Sequence, residues 1–333
     1  MKVHYKQIDI LKGIAILMVI MGHAIIVYPI DLNAQYPWCN YLHHFVSATH
    51  MPLFFAISGF CFSFHDWKLY LIKKSKRILI PLVVFGILGV FINVFLSSFV
   101  NDPNSPTDAL IGILTGSSNW FLYTLFLIFL VFPFIRNAFD SQRLAFFLIG
   151  LFGILQLFNF WPSIFNIDNL VKYIFYFSIG YYFKVLSKEK PEACSKLVGV
   201  VDRPIVWAVS LTIWCGLVFV LIKWVSGIYA LKALVSIIAA FAGVINIISF
   251  SRFISKFAFS KLFEETGKVS LQLFLFNGYF LTITRTVTVR FLHIDSPVLI
   301  IAANVFMMYF VSFILINFIV KKVKLFRVLT GMV

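Results

Sequence analysis

Apolar stretches of bilayer-spanning length recur from one end of the chain to the other, separated by short polar or basic segments. About 20 apolar residues at 1.5 Å rise cross a hydrocarbon core, so each such stretch predicts a transmembrane helix. Read this way, the pattern predicts spans over 8–30, 41–64, 78–100, 119–135, 144–161, 170–186, 204–224, 228–250, 269–291 and 297–320. The expected fold is an all-α polytopic bundle of ten helices, one integral-membrane domain over 1–333, with both termini cytoplasmic. Segment 108–116 is apolar enough to be an interfacial or re-entrant piece before the fourth span. The Asn-Asp-Pro-Asn-Ser-Pro run from Asn101 is a turn signal, and no fixed-period repeat is evident.

Composition strengthens this picture. Of 333 residues 61% are hydrophobic, 12% are charged, and mean hydropathy is +0.96, too little charge to cover a water-soluble surface. The formal net charge of +15 raises nucleic acid as a partner, but the charge is placed asymmetrically. Only Lys172, Lys223, Lys232, Arg285 and Arg290 fall in the expected outer halves, while Lys12 lies inside the first span. The other basic residues, Lys2 and Lys6 included, gather at the expected inner ends. Such asymmetry is the positive-inside signature of a multi-pass protein of the cell (inner) membrane, and the bilayer, not nucleic acid, is the expected partner. Cys39, Cys61, Cys194 and Cys215 fit no metal or redox spacing, so no metal site is expected. The first apolar segment follows Lys2 and Lys6 as a signal peptide would, but its length reads as a retained helix.

Ionisable groups inside a membrane are costly and mark functional sites. Lys12 and His23 are eleven residues apart, about 1100° of helix rotation and roughly 20° from three whole turns. They share one face, about 16 Å apart along the axis. If the first two spans pack antiparallel, His50 and His23 sit at similar depth, and Ser58-Gly59 then falls near the level of Lys12. Two levels are expected: a cationic one near the cytoplasm and an imidazole one within the membrane.

The Lys12-x₁₀-His23 pair, followed by His50-Met51-Pro52-Leu53-Phe54-Phe55-Ala56-Ile57-Ser58-Gly59, resembles the acyltransferase 3 family of membrane enzymes. The stretch Lys73-Lys74-x-Lys76-Arg77-x₃-Pro81, the run from Trp120 to Tyr123, and Gly267-Lys268-Val269-Ser270-Leu271 match as well. Most members carry arginine where this chain has Lys12, and Lys12-Gly13-Ile14-Ala15-Ile16 resembles the branch containing fucose 4-O-acetylase-like enzymes. The resemblance implies transfer of an acetyl or other short acyl group from cytoplasmic acyl-coenzyme A to a carbohydrate of the cell envelope, such as O-antigen, capsule or exopolysaccharide. Acetyl-coenzyme A is then a donor substrate, with no tightly bound cofactor. Many members carry a further hydrolase-like domain, which is not expected here. The family's Tyr-Leu-x-His is replaced by Phe274-Leu275-Phe276-Asn277, so the duty of that histidine does not carry over.

Residue chemistry is compatible with this. A sugar hydroxyl needs a base for its proton, and imidazole has a suitable pKa; attack by imidazole on the thioester is a second route. His23 and His50 are the candidate catalytic residues, although Met51-Pro52 also allows His50 to serve a kink. Lys12, Ser58, Lys73, Lys76 and Arg77 are candidates for the coenzyme, with Asp9 one turn before Lys12 to hold it. Against this, Lys12 can snorkel, the basic run can orient the chain, and Ser58-Gly59 suits close helix packing. Trp120, Arg285 and Arg290 are candidates for the carbohydrate acceptor, lipid-linked or not: the arginines either bind an anionic acceptor such as a lipid-linked pyrophosphate sugar or snorkel outward, and interfacial anchoring explains Trp120 as well. His43 and His44 are expected to face water. A transporter of acyl groups or glycan intermediates, or a non-catalytic subunit of a polysaccharide assembly complex, is the alternative reading. The acidic residues all fall outside the deep membrane, which counts against proton-coupled transport.

Overall fold

The computed structural model describes residues 6–26, 31–95, 105–225 and 227–332. Lys2, the predicted turn at 101–104, and the ends of the first and third spans at 27–30 and 96–100 lie outside the described residues. The described residues form helices and contain no strand.

The principal helices are α1 (Lys6–Ile25), α2 (Pro37–Phe60), α3 (Trp67–Lys74), α4 (Ile80–Phe95), α5 (Pro106–Thr115), α6 (Trp120–Ile135), α7 (Gln142–Leu155) and α8 (Ile167–Glu189). They continue as α9 (Pro204–Lys223), α10 (Tyr229–Ile254), α11 (Ser260–Lys268), α12 (Ser270–Arg285) and α13 (Pro297–Phe306). A π-helical turn, Ser75–Leu79, joins α3 to α4, and another, Thr286–Phe291, prolongs α12. Local signals set several boundaries. Proline opens α2, α5, α9 and α13, where its missing N–H costs nothing. Asp66 caps α3 by accepting from the Leu69 N–H at 2.9 Å, and Ser105 caps α5 by accepting from the Asp108 N–H at 3.1 Å. Gly116 ends α5 at φ +87°, a left-handed position natural to glycine.

Each predicted span has a helical counterpart, but they are not alike. Among the described residues, Lys6–Ile25, Trp67–Ile92, Thr107–Asp140, Pro204–Lys223, Tyr229–Ile254 and Pro297–Val320 are long and apolar enough to cross a membrane. Helix α7, with 14 residues, is apolar but shorter. Helices α2 and α12 are more polar because they line the interior: α2 carries His43, Ser47, Thr49 and His50, and α12 carries Gln272, Asn277 and Arg285. The outward faces are oily. Phe134 is 77% exposed and Leu114 73%, and Phe146, Phe147 and Ile154 all face out of α7. A multi-pass membrane protein requires this surface, since lipid rather than water covers it.

Helices α1 and α2 are central. Helix α1 packs against α2, α10, α11, α12 and α13, and α2 packs against α1, α8, α9 and α10. Glycines permit the tightest crossings. A Cβ on Gly13 would strike the Phe263 carbonyl of α11, and one on Gly267 would strike the Asp9 carbonyl of α1. In the same way Gly59 meets the Phe177 carbonyl of α8, and Gly180 meets the Ala56 carbonyl of α2. Without a hydrophobic drive between helices in lipid, such backbone proximity is a main source of packing energy. Ser58-Gly59 therefore has the close-packing role expected of it, with Gly59 as the contact residue.

Candidate active site

Five parts of the chain enclose a cavity of about 590 Å³: the end of α1, the first half of α2, α4, the junction of α5 with α6, and α12. His23, His50, Trp120 and Arg285 all line it, as do His43, Ser47, Asp108 and Asn277. His50 is 7% exposed and His23 is half-buried.

The imidazoles are oriented alike. His23 Nδ1 lies 2.8 Å from the Val19 carbonyl oxygen, and His50 Nδ1 lies 2.7 Å from that of Val46. A carbonyl oxygen only accepts, so each Nδ1 carries a hydrogen and Nε2 holds the free lone pair. Both rings thus present a basic nitrogen away from their own helix backbone. Pro52 lacks an N–H for the Ala48 carbonyl four residues earlier, whereas the His50 ring bonds Val46, so His50 does not satisfy the carbonyl that the proline leaves free.

His43 was expected to face water; instead it is half-buried on the cavity wall, with Nδ1 donating to the Gly22 carbonyl at 3.3 Å. The signal was its spacing. His43 is seven residues before His50, about 20° from two whole turns, and Ser47 lies between them on the same face. His44 is exposed, as expected.

Trp120 closes the wall with a ring stacked on Tyr173 at 5.4 Å, which itself stacks on Phe55 at 4.4 Å. Asn277 is 2% exposed, and among the described residues its Oδ1 has no hydrogen-bond partner. Asparagine thus occupies the wall at the position where the resembled motif has histidine. Arg290 lies beyond Arg285 on the π-helical turn, exposed and off the cavity wall.

A second cavity of about 160 Å³ shares α1, α2, α6 and α12 with the first at their more basic level, and α3 with its π-helical turn completes it. Lys12, Ser58, Cys61, Lys74 and Arg77 line it together with Phe54, Phe121, Phe129 and Phe274. Lys12 Nζ lies 3.3 Å from an Asp9 carboxylate oxygen, the pairing expected from their spacing. Lys74 places its ammonium over the Phe129 ring, 3.4 Å from the centroid. Lys184 donates to the Phe62 carbonyl. Lys73 and Lys76 are exposed and line neither cavity. Of the expected coenzyme residues in this run only Arg77 reaches the wall, and Lys74, not among them, joins it. Lys74 and Arg77 are an i, i+3 pair on one helix face.

Phe274 lines both cavities. Its ring packs on Phe121 at 5.0 Å, and Phe121 packs on Phe54 at 5.8 Å, so an aromatic partition lies between the two spaces. His23 and Lys12, about 16 Å apart along α1, mark the two levels.

Known proteins show related sequences. A family model described as an acyltransferase domain matches residues 5–320. The nodulation protein NolL of Mesorhizobium japonicum is 28% identical over 182 residues, covering 53% of this chain and 46% of that protein. The match therefore spans less than half the length of this curated relative. No solved structure matches the chain.

Proposed function

The chain belongs to the acyltransferase family defined by that domain, and from this premise we propose a membrane O-acyltransferase that moves an acetyl or other short acyl group from acyl-coenzyme A to a hydroxyl of a cell-envelope carbohydrate. The observation that carries the reading is the stacking of two cavities on the same helices. Basic groups line one and histidines with free Nε2 lone pairs line the other.

The basic level faces the cytoplasm in this reading, following the positive-inside bias. Its cavity of about 160 Å³ is below the usual size for a whole ligand and suits the thioester arm of the donor. Lys12, Lys74 and Arg77 hold donor phosphates at its mouth, Ser58 lines the arm's path, and the exposed Lys73 and Lys76 attract the nucleotide end. The acyl group reaches the upper cavity past Phe274 and Phe121.

There the acceptor sugar lies against Trp120, with its hydroxyl at an imidazole. In the general-base route, Nε2 of His23 takes the hydroxyl proton while the oxygen attacks the thioester carbonyl. The C–S bond breaks and coenzyme A leaves as thiolate, later protonated. In the acyl-histidine route, Nε2 attacks first, expels the thiolate, and then yields the acyl group to the hydroxyl oxygen. His50 is the second base in either route. Its backbone hydrogen bond keeps the ring in the productive tautomer.

Membrane vesicles given acetyl-labelled coenzyme A and envelope glycans test the reading. Label on glycan, located on a hydroxyl by mass spectrometry, is the expected result. Label that never leaves the donor, across a panel of acyl donors and glycans, contradicts it.

A further inference from the structure

Arg285 stands in the last turn of α12, half-buried, on the wall of the upper cavity. Its backbone carbonyl accepts from the Thr288 hydroxyl, but among the described residues its guanidinium makes no hydrogen bond and no ion pair. The carboxylate that shares the cavity, Asp108, accepts the Ser105 hydroxyl at 2.7 Å within the N-terminal turn of α5. The three histidines on the wall each donate Nδ1–H to a backbone carbonyl, so none brings negative charge. A guanidinium held in this setting lacks the counter-charge that partly desolvated ions need. Its planar fork matches a phosphate or carboxylate in two parallel hydrogen bonds.

Deeper on the same helix lies Asn277, eight residues earlier, about 12 Å along the axis and about 80° around it. Its buried Oδ1 lacks a donor, as a site awaiting a hydroxyl does. Helix α12 therefore carries a cation at the shallow level and a hydrogen-bond acceptor at the deep level of one cavity. The separation is within reach of a short oligosaccharide.

We infer that the acceptor is an anionic glycan. Arg285 binds its phosphate or carboxylate while the hydroxyl to be acylated lies deeper, beside Asn277. This rests on the acyl-transfer reading and narrows its acceptor from carbohydrates in general to those bearing a fixed negative group. Two sources supply that chemistry: a pyrophosphate joining the glycan to a polyprenyl carrier, and a uronic acid within the glycan itself.

The test uses the full chain reconstituted in neutral phospholipid vesicles, with saturating labelled acetyl-coenzyme A. One oligosaccharide is offered in three forms: neutral, with a uronic acid, and on polyprenyl pyrophosphate. The expected KM is at least about tenfold lower for one or both charged forms than for the neutral one. Preference for the pyrophosphate form assigns Arg285 to phosphate, and preference for the uronic form assigns it to carboxylate. Arg285→Gln raises KM for the preferred form alone, and Arg285→Lys restores part of the difference. Equal KM values for all three forms with wild type, or an equal rise for all in Arg285→Gln, overturn the inference while leaving acyl transfer intact. If wild type labels no form, acyl transfer to these acceptors fails, and equilibrium binding decides the inference by itself. Retention of radiolabelled polyprenyl-pyrophosphate or uronic-acid oligosaccharide by wild type, but not by Arg285→Gln, upholds it. No retention by wild type, or equal retention by both, overturns it.

Discussion

Gly59 of α2 and Gly180 of α8 form a reciprocal crossing in which a methyl on either would run into the backbone of the other helix. The crossing sits next to Ser58, so the packing of α2 on α8 places one wall of the basic cavity. Gly59→Ala and Gly180→Ala are each expected to destabilise the fold by about 1–3 kcal/mol or more, because backbone has no rotamer with which to yield. Gly150→Ala, where a Cβ meets nothing within 4 Å, is the control and should be near neutral. Thermal unfolding in detergent, with equal protein loads, measures the difference.

The basic cavity yields a prediction that separates neighbours in one run. Lys74→Met and Arg77→Gln should raise KM for acyl-coenzyme A about tenfold or more, since both side chains line the cavity wall. Lys73→Gln and Lys76→Gln, exposed like Arg77 but off the cavity wall, should raise it by less than about fivefold, and salt near 1 M should erase their effect. Donor titrations at low and high salt check both halves. Equal effects from all four would mean that the run acts only as a diffuse charge.

Phe274 is predicted to control passage between the two levels. Phe274→Trp enlarges the partition that Phe274 and Phe121 form and should slow acyl transfer more for longer acyl chains than for acetyl. Phe274→Leu should relax that dependence. Rates measured across a series of acyl-coenzyme A chain lengths read the effect directly.

Much of this architecture was legible because hydropathy reports where a helix meets lipid. The alignment of Lys12 with His23 follows from helix periodicity and the similar depth of His23 and His50 from antiparallel neighbouring spans, and the described structure places both histidines on one cavity. The misses came where neighbouring residues were judged together by composition and their helical phase was not followed. Lys74 and Arg77, three residues apart, share one helix face and line the cavity, while Lys76, two residues after Lys74, falls on the other side. His43 was hidden by its pairing with exposed His44, although its seven-residue spacing to His50 pointed inward. Helix α11 drew no notice as an element because it is polar and short, yet Gly267 brings it into backbone contact with α1. Contacts of that kind join residues far apart in the chain, and no local pattern carries them.

The central claim is that the lone pair at Nε2 of His23 does the chemistry, and His23→Ala tests it most directly. Wild type and variant, matched for membrane insertion and thermal stability, are compared for transfer of labelled acetyl from coenzyme A to glycan. Loss of the base should lower the rate by about 10²–10⁴-fold with membrane insertion unchanged. Transfer by His23→Ala at the wild-type rate would contradict the account.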